Sequence, residues 1–232
     1  ARELRAGALR YLLFLRLFKD LESAWSNWEP RHADWVTITG ESHLAEALRG
    51  GKGAILLSCH NFGFSKLVPP ALTLRGYHIH RGGGGKNDGG RVSRWGKDYK
   101  IGWQYLNYRD DYWHRLQILK TVQAALAANE VFHISPRAYL DGDADMAVEF
   151  FGYKYHVDFR WFRVFHMCRA PVLPCFATAT TDGRINIEIH PALPAGVREM
   201  AKQFGQIESE YLNRFPEMGR LWKDVYLQRR KF

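Results

Sequence analysis

The chain has 232 residues, of which 46% are apolar, 25% charged and 14% aromatic. That is enough for one domain with a sizeable core, and it excludes disorder, collagen-like repeats and a bare coiled coil. Lys and Arg number 33 against 24 Asp and Glu, a net charge of +9, which favours phospholipid headgroups, lipid phosphates, acidic carrier proteins or nucleic acid without choosing among them.

No stretch approaches the roughly 20 uninterrupted apolar residues that cross a bilayer. The cysteines Cys59, Cys168 and Cys175 lack metal-ligand or CxxC spacing and read as reduced thiols in a cytosol-facing protein. Residues 1–30 form a basic amphipathic segment. Arg5, Arg10, Arg16 and Lys19 stand among Leu9, Leu12, Leu13, Leu15, Leu17 and Phe18, a pattern that suits either a helix lying in a membrane interface or a basic surface helix packed on the domain. The first residue is Ala rather than Met, which leaves room for an upstream anchor or targeting segment.

From residue 31 to 232, helical patterns alternate with short apolar runs. The alternation predicts a single α/β domain with a mixed, mostly parallel central sheet flanked by helices. A strand in residues 35–40 and a short helix at 42–48 precede the buried strand of residues 51–58, which is entered through a glycine turn and delivers Cys59 and His60 at its carboxyl end. A helical pattern follows from Asn61, kinked near Pro69 and Pro70 and stopped by Gly76, and residues 77–81 read as the next strand.

The glycine-rich run at 82–90 matches neither GxGxxG nor GxxxxGK[ST] and reads as a surface loop. Asp110 or Asp111 caps a helix carrying Trp113, Leu116, Leu119, Val122 and Leu126, followed by a strand at 131–134. Beyond the polar loop 141–145 and the segment 148–152 lie a helix at 159–168 and a strand at 172–179. A turn then leads into residues 185–190, whose strict alternation predicts a half-exposed antiparallel edge strand. From Val197 onward the pattern is two helices separated by Pro216.

His60, at a strand's end and a helix's start, is the leading candidate for proton transfer. Its imidazole titrates near neutrality, and the helix amides and macrodipole are available to an anion. The competing reading is a structural histidine. Cys59 is adjacent, but neighbours in an extended segment face opposite ways, which makes it a core thiol rather than a nucleophile. His78 and His80 share a strand face but lack a third ligand, so no metal site is expected. Asp141, Asp143, Asp145 and Glu149 cluster about one polar turn and read as a solvated loop.

Several blocks together resemble the bacterial lipid A lauroyl/myristoyl acyltransferases, a branch of the lysophospholipid acyltransferase superfamily. Residues 36–60 (VTITGESHLAEALRGGKGAILLSCH) resemble that family's lead-in of glycine, His-Leu, Gly-Lys-Gly, strand and catalytic histidine. Asp141-Gly142, then Val148-Glu-Phe-Phe151-Gly152 and Arg169-Ala-Pro-Val-Leu-Pro-Cys-Phe176, resemble its later block, and Leu221-Trp222 with Arg229-Arg-Lys-Phe232 resemble its ending.

The resemblance implies a glycerolipid-acyltransferase-like fold in which His60 is the general base. It would take a proton from a lipid or glycolipid hydroxyl as that oxygen attacks a fatty acyl thioester on acyl carrier protein or coenzyme A. It further implies direct transfer without an acyl-enzyme, no cofactor, and a peripheral position on an anionic membrane surface at the cytoplasmic face of the inner membrane. Asn61, Gly63 and adjoining amides would help hold the oxyanion, and Arg115 would meet phosphate or carrier groups. Ser65, Gly142, Phe151 and Gly152 complete the candidate substrate-binding set.

The sequence departs from the family in one place. The family carries an acid five residues after the histidine to orient the imidazole; here that residue is Ser65, and no carboxylate occurs from Asn61 to Gly76. Three readings follow: Ser65 acts as a neutral acceptor, a distant acid such as Asp141 reaches His60, or the member is catalytically degraded and binds lipid or acyl carrier protein without turnover. Nucleic-acid binding through residues 91–99 lacks an RNP or helix-turn-helix pattern and is not expected.

Overall fold

The computed structural model describes residues 9, 10, 12, 13, 16, 34–59, 62–82, 105–106, 112–135, 138–139, 147–150, 153–157, 159–180 and 182–219; side chains are described at these positions except 82, 105–106, 112–118, 121, 138–139, 147–150, 153–157 and 159–160. The chain is an α/β protein. Its strands are β1 Val36–Thr39, β2 Ala54–Leu57, β3 Ile79–Gly82, β4 Tyr105–Leu106, β5 Val131–Ile134, β6 Ala138–Tyr139, β7 Ala147–Phe150, β8 Tyr153–Val157, β9 Val172–Ala179 and β10 Ile185–Ile189. Its helices are α1 Glu41–Arg49, α2 Val68–Thr73, α3 Tyr112–Ala127, α4 Phe159–Cys168 and α5 Val197–Arg214, with 3-10 turns at Ser65–Leu67 and Pro216–Met218.

Seven strands make one mixed sheet in the order β1-β10-β9-β2-β5-β3-β4. Five of them, from β9 to β4, are mutually parallel, so their carboxyl ends share one side. β2 is central, with every residue buried, which is why its sequence is a continuous apolar run rather than an alternating one. Gly53, at φ 63°, turns the chain into this strand, where a Cβ would lie 2.7 Å from Leu126 Cα on α3.

Several boundaries differ from the sequence expectation, each for a local reason. Pro69 and Pro70 do not kink a helix; they lie in the first turn of the short α2, where proline's missing N–H costs no hydrogen bond. β10 alternates buried and half-buried residues and pairs antiparallel with β9, but it is not the edge, because β1 pairs parallel on its other side. Residues Pro216–Met218 form a 3-10 turn, and the rest of the second helix expected after Pro216 lies outside the described residues. A separate three-stranded antiparallel sheet, β6-β8-β7, was not legible in the sequence; it takes in part of the segment containing Val148, and α5 packs against β7.

The core is aromatic where α5 meets β9. Phe176 stacks on Tyr211 with ring centroids 4.2 Å apart and an interplanar angle of 10°, and Phe204 and Phe62 complete the cluster. α5 presents Met200, Ala201, Phe204, Gly205, Glu208, Tyr211 and Leu212 as its buried face, the three-and-four spacing of an amphipathic helix. One member of that face, Glu208, is a carboxylate.

In the amino-terminal segment the described residues are helical, and Leu9, Leu12 and Leu13 are 63%, 60% and 66% exposed. Their spacing puts them on one helix face. Among the described residues, no helix is long and apolar enough to cross a membrane.

Candidate functional site

β2 leads the chain to the middle of the sheet's carboxyl edge, the side where open α/β sheets bind ligands. Ser58 follows directly. Its amide donates to the Ile134 carbonyl at 2.8 Å, and its buried hydroxyl lies 3.0 Å from His133 Nε2 on β5. His133 is fully buried, and its pKa is held well below the ordinary value, first because burial disfavours the imidazolium and then because of the Arg81 charge. Arg81 is its register partner on β3. Ser58 and His133 therefore form a neutral polar pair, too enclosed to reach a substrate. Beside them on β9, burial pushes the Cys175 thiol far up, against the smaller opposing effect of the Ser58 hydroxyl.

Cys59 is 3% exposed, and its thiol donates to Oε1 of Glu208 from α5. Burial pushes the Glu208 carboxyl up to about 7, partly offset by the hydrogen bond from Cys59. The other oxygen, Oε2, is buried without a hydrogen-bond partner, as are His133 Nδ1 and Ser135 Oγ. Unsatisfied buried polar atoms are costly, and such a cluster at a strand end marks a place where packing alone does not explain the residues.

Beyond Cys59 the chain is pinned again. Phe62 forms an antiparallel bridge with Gly219, and its ring meets Tyr211 at 5.8 Å. Gly63 sits at φ 54°, and a Cβ there would be 2.2 Å from the Ala177 carbonyl oxygen. Only glycine allows this approach without a backbone shift. Cys59 and Phe62 both face α5.

Two sequence expectations about this site need correction. The Gly63 amide donates to Met218 at 3.1 Å and the Phe64 amide to Ala177 at 3.0 Å, so both are committed to the fold rather than to an oxyanion. The helical pattern from Asn61 becomes a 3-10 turn at Ser65 and the six-residue α2 at Val68. The described α-helix therefore begins eight positions after residue 60 rather than directly at it. Ser65 is buried at the start of the 3-10 turn.

His60, Asn61, Asp141, Gly142, Phe151 and Gly152 lie outside the described residues, as do the glycine-rich run from 83 to 90, residues 91–99 and the carboxyl-terminal blocks at 221–222 and 229–232. Arg115 is on α3, with its side chain outside the description. His80 Nε2 pairs with Glu130. Among the described residues, no group of three or more His, Cys, Asp or Glu side chains could hold a metal ion.

Sequence reasoning overlooked Glu208 and His133. The signal for each was a polar residue inside an apolar pattern: Glu208 falls on the buried stripe of α5, and His133 interrupts Val131, Phe132 and Ile134. No known protein family and no curated protein matches the chain.

Proposed function

We propose that the chain is an O-acyltransferase of the glycerolipid-acyltransferase type, moving a fatty acyl group from a thioester on acyl carrier protein or coenzyme A to a hydroxyl of a lipid or glycolipid. The observation that carries this reading is the β2 strand. Residues 51–60 resemble the family's lead-in to its catalytic histidine, and β2 runs to the carboxyl edge of a mostly parallel sheet, ending at Leu57, three residues before His60 in the sequence. The order of the later blocks supports the same reading.

In this mechanism the His60 imidazole takes the proton of the acceptor hydroxyl as its oxygen bonds to the thioester carbonyl carbon, leaving a tetrahedral oxyanion. Collapse breaks the carbon–sulfur bond, and the imidazolium returns its proton to the departing thiolate. The histidine ends as it began, and the ester and free thiol balance the reactants. Attack without this base requires an unfavourable alkoxide or a protonated ether-like intermediate. The exposed Leu9, Leu12 and Leu13, with Arg10 and Arg16 in the same segment, support attachment to an anionic membrane surface, with the leucines in the acyl boundary and the arginines among phosphates. We place this at the cytoplasmic face of the inner membrane.

The test is incubation of the protein with acyl carrier protein and coenzyme A thioesters and phosphorylated lipid acceptors, beside His60→Ala. Ester formation that the substitution abolishes is the expected result; turnover that survives it refutes the mechanism. A second reading, a member that binds lipid or acyl carrier protein without turnover, is favoured by Ser65 in place of the family's acid. It predicts binding of both ligands with no ester formed.

A further inference from the structure

We infer that the carboxyl end of β10 holds a site for a small cationic amino alcohol, its ammonium group bound by Glu188 and its hydroxyl by His190. Tyr211 of α5 joins the two side chains. Its hydroxyl donates to Glu188 Oε2, and His190 Nε2 lies 3.0 Å from the same hydroxyl. A phenol has one proton to give. Because Tyr211 gives it to the carboxylate, the bond with His190 is donated by the imidazole N–H at Nε2, and Nδ1 carries the lone pair. Burial and then the hydrogen bond to Glu188 push Tyr211 far up, so the phenol keeps its proton at neutral pH. Burial holds His190 below its ordinary value against the opposing Glu188 charge, which leaves Nδ1 a neutral acceptor there. The ring itself is fixed: Phe176 meets it edge to face at 6.0 Å and Tyr211 at 5.6 Å, and the His190 amide donates to the Pro174 carbonyl at 2.9 Å.

Each group keeps one acceptor in reserve. Unlike Glu208 Oε2 and His133 Nδ1, which are buried without partners, Glu188 Oε1 and His190 Nδ1 reach solvent, and among the described residues neither accepts a hydrogen bond. The approach is from β1: Thr39, the register partner of Glu188, is exposed, as is Thr37. Two acceptors held around one phenol, with no donor beside them, select a ligand that brings two donors. One acceptor is anionic and has no Lys or Arg paired to it among the described residues, in a chain of net charge +9. The nearby cation Arg214 lies instead over Phe215, 5.0 Å from the ring centroid, and His43 donates its Nδ1–H to the Ile189 carbonyl at 2.9 Å. A hydrogen bond from a charged donor to a carboxylate is roughly twice as strong as a neutral one, so the carboxylate favours an ammonium. The exposed Glu210 acts on His190 in the same sense as Glu188, which adds to the preference for a cation. The neutral imidazole nitrogen needs only a hydroxyl.

The experiment titrates the full chain, labelled with ring-15N histidine, with 2-amino-1,3-propanediol and, separately, with glycerol, which has the same skeleton and a hydroxyl in place of the ammonium. The His190 signal is identified among the ten histidines by its loss in His190→Gln. The free protein is expected to show His190 as one tautomer, protonated at Nε2. The amino diol is expected to shift its Nδ1 signal saturably, with glycerol at least about tenfold weaker. Glu188→Gln still accepts from Tyr211 but has no charge, and its preference for the amino diol over glycerol should vanish. Tyr211→Phe removes the shared hydroxyl and keeps the ring, so His190 should mix tautomers and the amino diol should bind several-fold more weakly.

Mixed His190 tautomers in the wild type overturn the inference, as does equal affinity for the two diols. So does a shift that does not saturate below about 0.1 M amino diol, the strength of an exposed ion pair alone. If Glu188→Gln or Tyr211→Phe does not fold, the wild-type tautomer and the comparison of the two diols decide. No residue of this site takes part in the proposed acyl transfer, so the two readings fail separately.

Discussion

Glu208 should give the protein an inverted acid dependence. Most carboxylates in native proteins are held below their ordinary pKa, so stability falls in acid; Glu208 is held above it. In the unfolded chain it titrates near 4.5, and in the folded chain at about 7. Between these values the native state binds the extra proton, so stability is full below pH 4.5, declines as pH rises, and levels off above 7. At about 1.4 kcal/mol per pH unit, the separation from 4.5 to about 7 amounts to a loss of about 3 kcal/mol. Glutamine has the same shape and no charge to desolvate. Urea unfolding at pH 5, 6, 7 and 8 should therefore show the stability difference between Glu208→Gln and wild type moving in the variant's favour by about 3 kcal/mol across the series, then staying constant. Other groups contribute to both proteins and cancel in the difference. Parallel pH profiles for the two would refute the burial argument, because they would mean that Glu208 is as free to ionise folded as unfolded.

Further outcomes follow from other described residues. His133 carries the opposite dependence: its folded pKa lies well below the ordinary value, so its contribution is present above pH 6.5 and is lost below it at about 1.4 kcal/mol per pH unit; comparing the acid unfolding of wild type with His133→Leu measures this. Gly63→Ala should destabilise by more than the ~1–2 kcal/mol of left-handed backbone alone, because its Cβ would meet the Ala177 carbonyl. Gly76→Ala, at φ 89° with nothing within 4 Å, is the control that incurs only the backbone cost, and equal urea midpoints for the two variants would contradict the close approach. Cys59 and Cys175 are buried and Cys168 is partly exposed, so a thiol-colour assay on the native protein at neutral pH should detect Cys168 first and the other two only after denaturation. Replacing Leu9, Leu12 and Leu13 together by Ser should lower sedimentation with anionic vesicles by at least tenfold, since each leucine buried in an apolar phase contributes on the order of 1.5–3 kcal/mol and 1.4 kcal/mol is tenfold. Unchanged sedimentation would remove the leucine face from the membrane reading.

The α/β class and most of the central strands were legible because burial leaves a one-dimensional trace. β2 and β5 read as short apolar runs between glycines and polar turns, and α4 and β9 appear with the boundaries that their periodicity predicts. Edge status was not legible. The alternation of β10 is the same whether its outer neighbour is water or β1, and β1 is some 146 residues away in the chain. The β6-β8-β7 sheet was missed because its strands are short and hold charged residues, a pattern shared with loops. At the candidate site, sequence could find the strand β2 that precedes His60 in the chain, since that signal is local. It could not find Glu208, which lies 149 residues from Cys59 and meets it only because α5 crosses the aromatic floor made by Phe176. What remained visible was the anomaly itself, a charged residue on a stripe of apolar ones.

The partnership between the first strand and the last has a consequence during synthesis. β1 cannot form its ladder until residues 185–189 have left the ribosome, because β10 is its neighbour in the sheet. At 5–20 residues per second that wait is roughly 7–30 seconds, far longer than helices or hairpins need to form. Throughout it, Val36 and Ile38 belong to a nascent strand with open backbone groups on both sides. The chain thus has a built-in vulnerability to early capture by holdase chaperones or by a neighbouring nascent chain, and slowed translation of the stretch between them would lengthen it.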